Sequence, residues 1–145
     1  MKALEKKFTE KDLTSIYCSA VSELGYKYTI DEDGGIDFRI PHTNMEFWIN
    51  FDPEDPLLVR IVCVSFYKIS SVDNLNDVYR ACNAATRGAM VSKVYVLTSE
   101  KSVFAAWEGY VSEINTESVK YAILRAVPDN GAAMKIFINS LASLT

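Results

Sequence analysis

Residues 57–69 read LLVRIVCVSFYKI and form the stretch that most restricts the fold. It is rich in β-branched side chains, which favours a strand. Both sets of alternating positions are apolar, since Val59 and Ile61 belong to one set and Val62 and Val64 to the other. A strand that is apolar on both faces is usually covered on both sides. We therefore expect a strand that is covered on both of its faces.

Upstream of this strand, apolar residues alternate with polar ones, which predicts three further strands. Residues 26–30 and 36–40 flank Asp33-Gly34-Gly35 and predict a hairpin with one polar face. A third strand is predicted at 45–51, where Trp48 lies on the more polar face.

Downstream, apolar residues return to helical spacing and predict a helix that starts near Asp73 and stops near Gly88. Two more strands are predicted at 93–98 and 103–114. The polar residues Ser99-Glu100-Lys101-Ser102 predict a hairpin loop between them.

Both ends of the chain show the apolar spacing of amphipathic helices. Thr9 as N-cap and Gly25 just beyond the last turn bound the first helix. The last helix begins with Asn115 or Thr116 as its cap, and Pro128 interrupts its apolar stripe. A kinked helix or two short helices would both satisfy this pattern.

The predicted order is α-β-β-β-β-α-β-β-α, which indicates an α+β fold with one antiparallel sheet and helices packed on one face. The 145 residues suit a single domain spanning 1–145. Residues 1–8 precede the first cap and are expected to form a loose segment.

If all helices pack on one face of the sheet, the strands that are apolar on both faces have their second apolar face uncovered. The cover could come from the last helix folding around the sheet, from a symmetric second subunit, or from a segment of a partner. Without cover, the apolar side chains would form an exposed binding surface. That predicted patch comprises Val62, Val64, Phe66, Val94 and Val96.

Composition excludes several classes of function. A net charge of −4 and a pI near 5.0 give no basic field for nucleic acid. No apolar run is long enough to cross a membrane, and no export signal is visible. Three scattered cysteines without a CxxC pair suggest a reducing compartment. We expect a soluble, cytoplasmic protein with neither nucleic-acid nor membrane partners.

Reactive groups are sparse, so we predict no catalytic residue, no cofactor and no metal. His42 is the only histidine and lies in a polar turn, where an inert role is the ordinary one. The stretch Asp31-Glu32-Asp33-Gly34-Gly35 resembles the start of a calcium loop, but His42 occupies the twelfth position, where glutamate is needed. No phosphate-binding glycine loop or nucleophile elbow is present.

Large aromatic residues are the remaining candidates, because they often anchor protein interfaces. Trp48 on the more polar strand face could fill such a role, whereas Trp107, which has Val103, Ala105 and Val111 on its side, is more typical of a core residue. The predicted partner-binding residues are Trp48, Val62, Val64, Phe66, Trp107 and Tyr110.

Four stretches resemble a known family: Ser22-Glu23-Leu24-Gly25-Tyr26, Asp31-Glu32-Asp33-Gly34, Phe47-Trp48-Ile49 and Val94-Tyr95-Val96-Leu97. With the element order, they are similar to the bacterial YbjN family over about residues 10–143. The resemblance implies a fold like that of type III secretion chaperones and a link to sensory transduction regulation. It also implies frequent self-association and no established catalytic motif, so we expect a homodimer.

Three functions follow as hypotheses. The first is a non-catalytic protein-binding domain, chaperone-like or regulatory, with a protein partner that the sequence does not identify. The second is a small-molecule-binding or enzymatic domain with a pocket between the sheet and the last helix. That pocket would be lined by Tyr95, Trp107, Tyr110 and Tyr121. The third is a structural subunit of a larger assembly.

Overall fold

The computed structural model describes residues 7–144, and their helices and strands follow the predicted order. The helices are α1 (Glu10–Glu23), α2 (Leu75–Gly88) and α3 (Thr116–Leu144). The strands are β1 (Tyr28–Ile30), β2 (Ile36–Arg39), β3 (Glu46–Asn50), β4 (Leu58–Lys68), β5 (Lys93–Leu97) and β6 (Ser102–Tyr110). The predicted α+β class is confirmed. Of the N-terminal segment expected to be loose, residues 1–6 lie outside the described part of the chain.

The strands form one six-stranded antiparallel sheet in the order β1-β2-β3-β4-β6-β5. Successive strands β1 to β4 are neighbours, and α2 then carries the chain to the edge strand β5. Strand β6 returns between β5 and β4, so β4 pairs with β6 at residues 58–63 and 67–68 and with β3 at residues 60–63. Residues 57–69 thus contain an interior strand of the sheet.

The connection between β5 and β6 differs from the prediction. A single 3-10 turn at Thr98–Glu100 replaces the expected four-residue loop, and Lys101 follows in a left-handed conformation with φ of 50°. Ser102 already pairs with Leu97, and β6 ends at Tyr110 instead of Ile114. A left-handed residue reverses the chain in a short space, so pairing can start one residue earlier.

A bulge interrupts β4 between Cys63 and Tyr67. Ser65 adopts a positive φ of 46° within it. The extra residues turn Phe66 toward the helices, where its ring meets that of Phe137 edge-on with 5.4 Å between centroids. The bulge thus changes which face a β4 side chain occupies.

The predicted helix boundaries are closely matched. Thr9 and Asp12 form a capping box at the start of α1, and Gly25 follows its end with φ of 83°. At the start of α3, the Asn115 side-chain oxygen accepts the Ser118 backbone N–H at 2.9 Å.

Helix α3 continues through Pro128 as one helix of 29 residues. The hydrogen bond that proline cannot donate would end at the carbonyl of Leu124. Leu124 is 54% exposed and Pro128 is exposed as well, so this carbonyl lies on the solvent side, where water can replace the missing partner. Of the two outcomes left open by the sequence, two separate helices are excluded.

All three helices pack on one face of the sheet. Helix α1 contacts β1 and β2, α2 contacts β5, and α3 lies between them against β4, β5 and β6. The largest fully buried side chains between helices and sheet are Tyr17, Phe38, Phe47 and Phe137. The helices therefore leave the other face of the sheet without a helix from residues 7–144.

Candidate functional site: the helix-free face of the sheet

The face of the sheet opposite the helices is the candidate site, and we call it the helix-free face. Strand pairing places one straight row of side chains across it, because residues paired in register share a face. From β1 to β5 the row consists of Thr29, Asp37, Trp48, Val62, Ala106 and Lys93. The row is anionic at β2, apolar in the centre and cationic at β5.

A small apolar cluster, separate from the main core, occupies the centre of this face. The helix-free cluster consists of Val62, Phe104 and Ala106, with Trp48, Val64 and Tyr95 packed around them. Val62 is only 2% exposed and Ala106 only 1%. Tyr95 stacks on Phe104 with 5.9 Å between ring centroids. Large rings thus cover the smaller side chains, so the face supplies part of its own cover.

Trp48 is held in place on this face by the turn between β1 and β2. Its indole N–H donates to Asp31 Oδ2 at 3.0 Å. Asp31 Oδ1 accepts the backbone N–H groups of Asp33 at 2.9 Å and Gly35 at 2.8 Å. A methyl group on Gly35 would collide with the indole nitrogen, so only glycine fits beneath the ring. Trp48 is therefore half-buried and fixed in orientation.

The β5 side of the face is cationic. Glu108 lies between two cations, with Lys93 Nζ 2.8 Å and Arg60 Nε 3.1 Å from its Oε1. The hydrogen bond from Lys93, together with the charges of Lys93 and Arg60, lowers the pKa of Glu108 in spite of its partial burial. Two positive charges share one negative charge, which leaves one excess positive charge.

The β2 side is anionic. Arg39 and Glu46 form an exposed ion pair at 3.1 Å, while Asp37 has no ion pair among the described residues. Partial burial, followed by the charges of Asp31 and Glu46, raises the pKa of Asp37. A cation near Asp37 would relieve this uncompensated charge.

The exposed patch predicted from the sequence is wrong in composition. Val62 and Val64 do lie on the helix-free face, but Val94 is buried in the main core and Val96 packs against it. Phe66 also packs against the main core, because the β4 bulge reverses its direction. Simple alternation placed these three side chains on the opposite face.

The structure separates the other two candidates, Trp107 and Tyr110. Trp107 is 9% exposed and belongs to the main core, because its partner Ile61 faces the helices. Tyr110 is 73% exposed at the end of β6, on the helix-free side, where its hydroxyl hydrogen-bonds Asp55 at 3.3 Å.

The four residues predicted to line a pocket between the sheet and the last helix do not come together there. Tyr95 and Tyr110 lie on the helix-free face, and Tyr121 is exposed on α3 under the guanidinium of Arg125. A groove of about 610 Å³ opens instead at the β1 edge, with Tyr28, Phe38 and Arg39 among its lining residues.

Groups able to do chemistry are scattered. His42 is exposed in its turn, and burial raises the pKa of Cys63 to about 12 and that of Cys82 to about 11. Such thiols are poor nucleophiles at neutral pH. Within residues 7–144, no three His, Cys, Asp or Glu side chains are placed to hold a metal ion. No helix in this range is long and apolar enough to span a membrane.

Sequence reasoning missed Phe104, Ala106 and the charges of Asp37 and Lys93 on either side of the apolar centre of the row. Within 103–110, the period of two does place Phe104 and Ala106 on one strand face and their neighbours in the chain on the other. Their meeting with Val62 depends on the pairing of β4 with β6, which the local pattern does not contain.

Comparison with known proteins places this site within a family. A family model described as "YbjN: Putative bacterial sensory transduction regulator" matches residues 18–123. The chain belongs to the YbjN family. The match runs from α1 into α3 and includes all six strands, so the helix-free face lies within the YbjN region. The resemblance noted from the sequence is thereby confirmed.

A solved structure shares the YbjN fold described above. One chain of the HopA1-SchA chaperone-effector complex superposes with a TM-score of 0.56 at 6% identity, covering 93% of this chain and 98% of that chain. At this identity the likeness concerns the fold alone, and it confirms the chaperone-like fold that the family resemblance implied. No curated protein sequence matches this YbjN chain.

Proposed function

We propose that this YbjN domain is a non-catalytic protein-binding domain, chaperone-like or regulatory in role, which docks other polypeptide through its helix-free face. The observation that carries the proposal is Trp48, an aromatic ring held by Asp31 at the edge of an apolar cluster on a face without a helix. The family description and the chaperone-effector neighbour support a role of this kind.

The physical argument rests on preorganisation. A ring that is already fixed loses little side-chain entropy when a partner covers it. Trp and Tyr are also the side chains that most often dominate binding energy at interfaces. Charged groups on either side of the apolar centre of the row, Asp37 and Lys93, add a polar rim around it.

We also propose a cytoplasmic location and a homodimeric state. Free Cys18, Cys63 and Cys82 support a reducing compartment. The paucity of reactive groups on the helix-free face supports binding over catalysis.

Site-specific photocrosslinking tests the proposal with two exposed tyrosines on different elements. A photoreactive phenylalanine analogue replaces Tyr110 at the end of β6 or, as control, Tyr79 on α2, which is 45% exposed. The protein is irradiated in a bacterial cytoplasmic extract, and adducts, including those with its own chain, are identified by mass spectrometry.

We expect defined protein adducts from position 110, few from position 79, and loss of the position-110 adducts when Trp48→Ala is added. Absence of adducts at position 110, or equal labelling from both positions, would contradict docking through the helix-free face.

A further inference from the structure

We propose that a cavity on the helix side of the sheet binds one monovalent copper ion, Cu(I), through sulfur. The cavity is lined by Met45, Cys63 and Met134, and we call it the sulfur cavity. A thiolate and thioethers are the soft ligands that Cu(I) prefers in proteins. The site lies apart from the helix-free face, so the inference does not depend on the proposed function.

The bulge of β4 accounts for the position of the sulfur cavity. Strand β3 pairs with β4 only as far as Cys63, where the bulge begins. Just beyond this last pair lies a cavity of about 510 Å³, which Met134 borders from α3. The cavity is also lined by Asn44 and Lys68, both of which are exposed, so an ion can enter from solvent.

Two of the three sulfur atoms are already close to the spacing that a shared ion requires. Cys63 Sγ lies 3.5 Å from Met134 Sδ. Two sulfur ligands at about 2.3 Å from one metal ion are roughly 3.8–4.0 Å apart in tetrahedral or trigonal geometry. The pair therefore needs to open by about 0.3–0.5 Å, which the flexible, unbranched side chain of methionine allows.

Met45 supplies the third sulfur from the residue just before β3. Its terminal methyl group lies beside Gly131 of α3, 3.6 Å from the position that a Cβ atom would take there. Gly131 precedes Met134 by three residues, so both lie on one side of the helix. Neither a histidine cluster nor a CxxC pair marks such a site in the sequence, because its ligands come from three distant segments.

Charge favours a monovalent ion over a divalent one. Cys63 is only 1% exposed, and an uncompensated charge at a buried position is costly. When Cu(I) bonds to the Cys63 sulfur, the thiol proton passes to solvent and the resulting Cu(I)–thiolate unit has no net charge. Zn²⁺ in the same place would leave one positive charge in the core. The two charged side chains that line the cavity, Glu46 and Lys68, are opposite in sign.

The alternative is a contact between thiol and thioether that only packs the core. Met134→Leu separates the two explanations, because leucine keeps the volume and the apolar character of methionine but has no sulfur. A packing role would survive this substitution, whereas a ligand role would not.

Competition for Cu(I) against the coloured chelator bicinchoninate, without oxygen, measures the affinity of the full chain. We expect the wild type to take one Cu(I) per chain. Because even groups behind metal ligands contribute about 10–100-fold to affinity, Met134→Leu should weaken binding by about tenfold or more and Cys63→Ser by about 100-fold or more. Cys18→Ser and Met90→Leu remove sulfur atoms outside the cavity and should bind Cu(I) like the wild type.

Two further measurements distinguish a lost ligand from lost folding. Cu(I) should raise the melting temperature of the wild type, since it joins β4 to α3 only in the folded chain, and should raise that of Met134→Leu much less. X-ray absorption should show sulfur ligands at about 2.3 Å.

A wild type that does not compete with the chelator overturns the inference. So does undiminished affinity of Met134→Leu, or an absorption spectrum dominated by nitrogen or oxygen ligands. Docking through the helix-free face would stand in each of these cases.

Discussion

Asn130 and Asp129, neighbours in the middle of α3, tie the helix to the sheet and to the loop before β5. Asn130 is fully buried, with its amide nitrogen donating to the Ile61 carbonyl at 3.2 Å and its oxygen accepting from the Ser92 hydroxyl at 2.7 Å. Asp129 accepts the consecutive backbone N–H groups of residues 90–92. These contacts fix α3 over the sheet just after Pro128.

Replacement of Asn130 by alanine should destabilise the fold by about 1–3 kcal/mol, because it leaves the buried Ile61 carbonyl and Ser92 hydroxyl unpaired. Urea unfolding followed by circular dichroism gives the free energy directly. Asn139→Ala, at an exposed position of the same helix, is the control. Equal stability of the two variants would show that the buried hydrogen bonds contribute nothing net.

Asp129 should make stability depend on pH in the acid range. Burial raises the pKa of its carboxyl group, but the hydrogen bonds from Ser92, Met90 and Val91 together have the larger, opposite effect. The pKa of Asp129 therefore lies below its ordinary value of 3.8. A folded-state pKa below the unfolded one stabilises the fold fully above about pH 4, and this stabilisation is lost as the pH falls through the folded pKa.

Thermal unfolding of Asp129→Asn against the wild type measures this effect. The variant should melt lower at neutral pH, and the difference should shrink as the pH falls below about 4. Glu54→Gln, an exposed acid for comparison, should show no such convergence. A constant difference at every pH would contradict the role assigned to the carboxylate.

At the scale of elements, the edge strand β5 is closed by a side chain of α2. The Thr86 hydroxyl accepts the Val94 N–H at 2.9 Å and donates to the Val94 carbonyl at 3.3 Å. These two backbone groups would otherwise be free to pair with another strand. The pairing of a strand from another molecule with the edge strand β5 is thereby disfavoured.

Thr86→Val should lower stability by about 1 kcal/mol and increase slow aggregation, because it removes the hydroxyl but keeps the shape of the side chain. Thr86→Ser keeps the hydroxyl and is the matched control. Light scattering during incubation at moderate temperature compares them. Identical aggregation rates for the two variants would show that Thr86 does not protect this edge.

The elements themselves could be predicted from the sequence, but their faces could not. Helix starts depend on local chemistry, such as the Thr9 capping box, and the strands have a plain period of two. The side on which Phe66 lies depends on the bulge at Ser65, which arises from pairing with a distant strand. The same holds for Trp48, whose anchor Asp31 is 17 residues away in the chain.

At the scale of the whole molecule, three helices on one face leave the other to the side chains of the strands. Two-sided apolar strands predicted a second apolar face, and Val62, Phe104 and Ala106 do form an apolar cluster there. They did not indicate that Trp48 and Tyr95 would cover Val62 and Ala106 within the chain. What remains accessible is a ring fixed in orientation between an anionic and a cationic side.

The most direct test is to ask whether anything covers Trp48 in solution. The chain has two tryptophans, so 5-fluorotryptophan labelling gives one ¹⁹F resonance from Trp48 and one from buried Trp107, assigned with Trp48→Phe. As the protein concentration rises, we expect the Trp48 resonance to shift and to become protected from a soluble paramagnetic quencher, while that of Trp107 stays unchanged. A Trp48 resonance equally accessible at every concentration, with and without bacterial extract, would contradict the claim that the helix-free face binds protein.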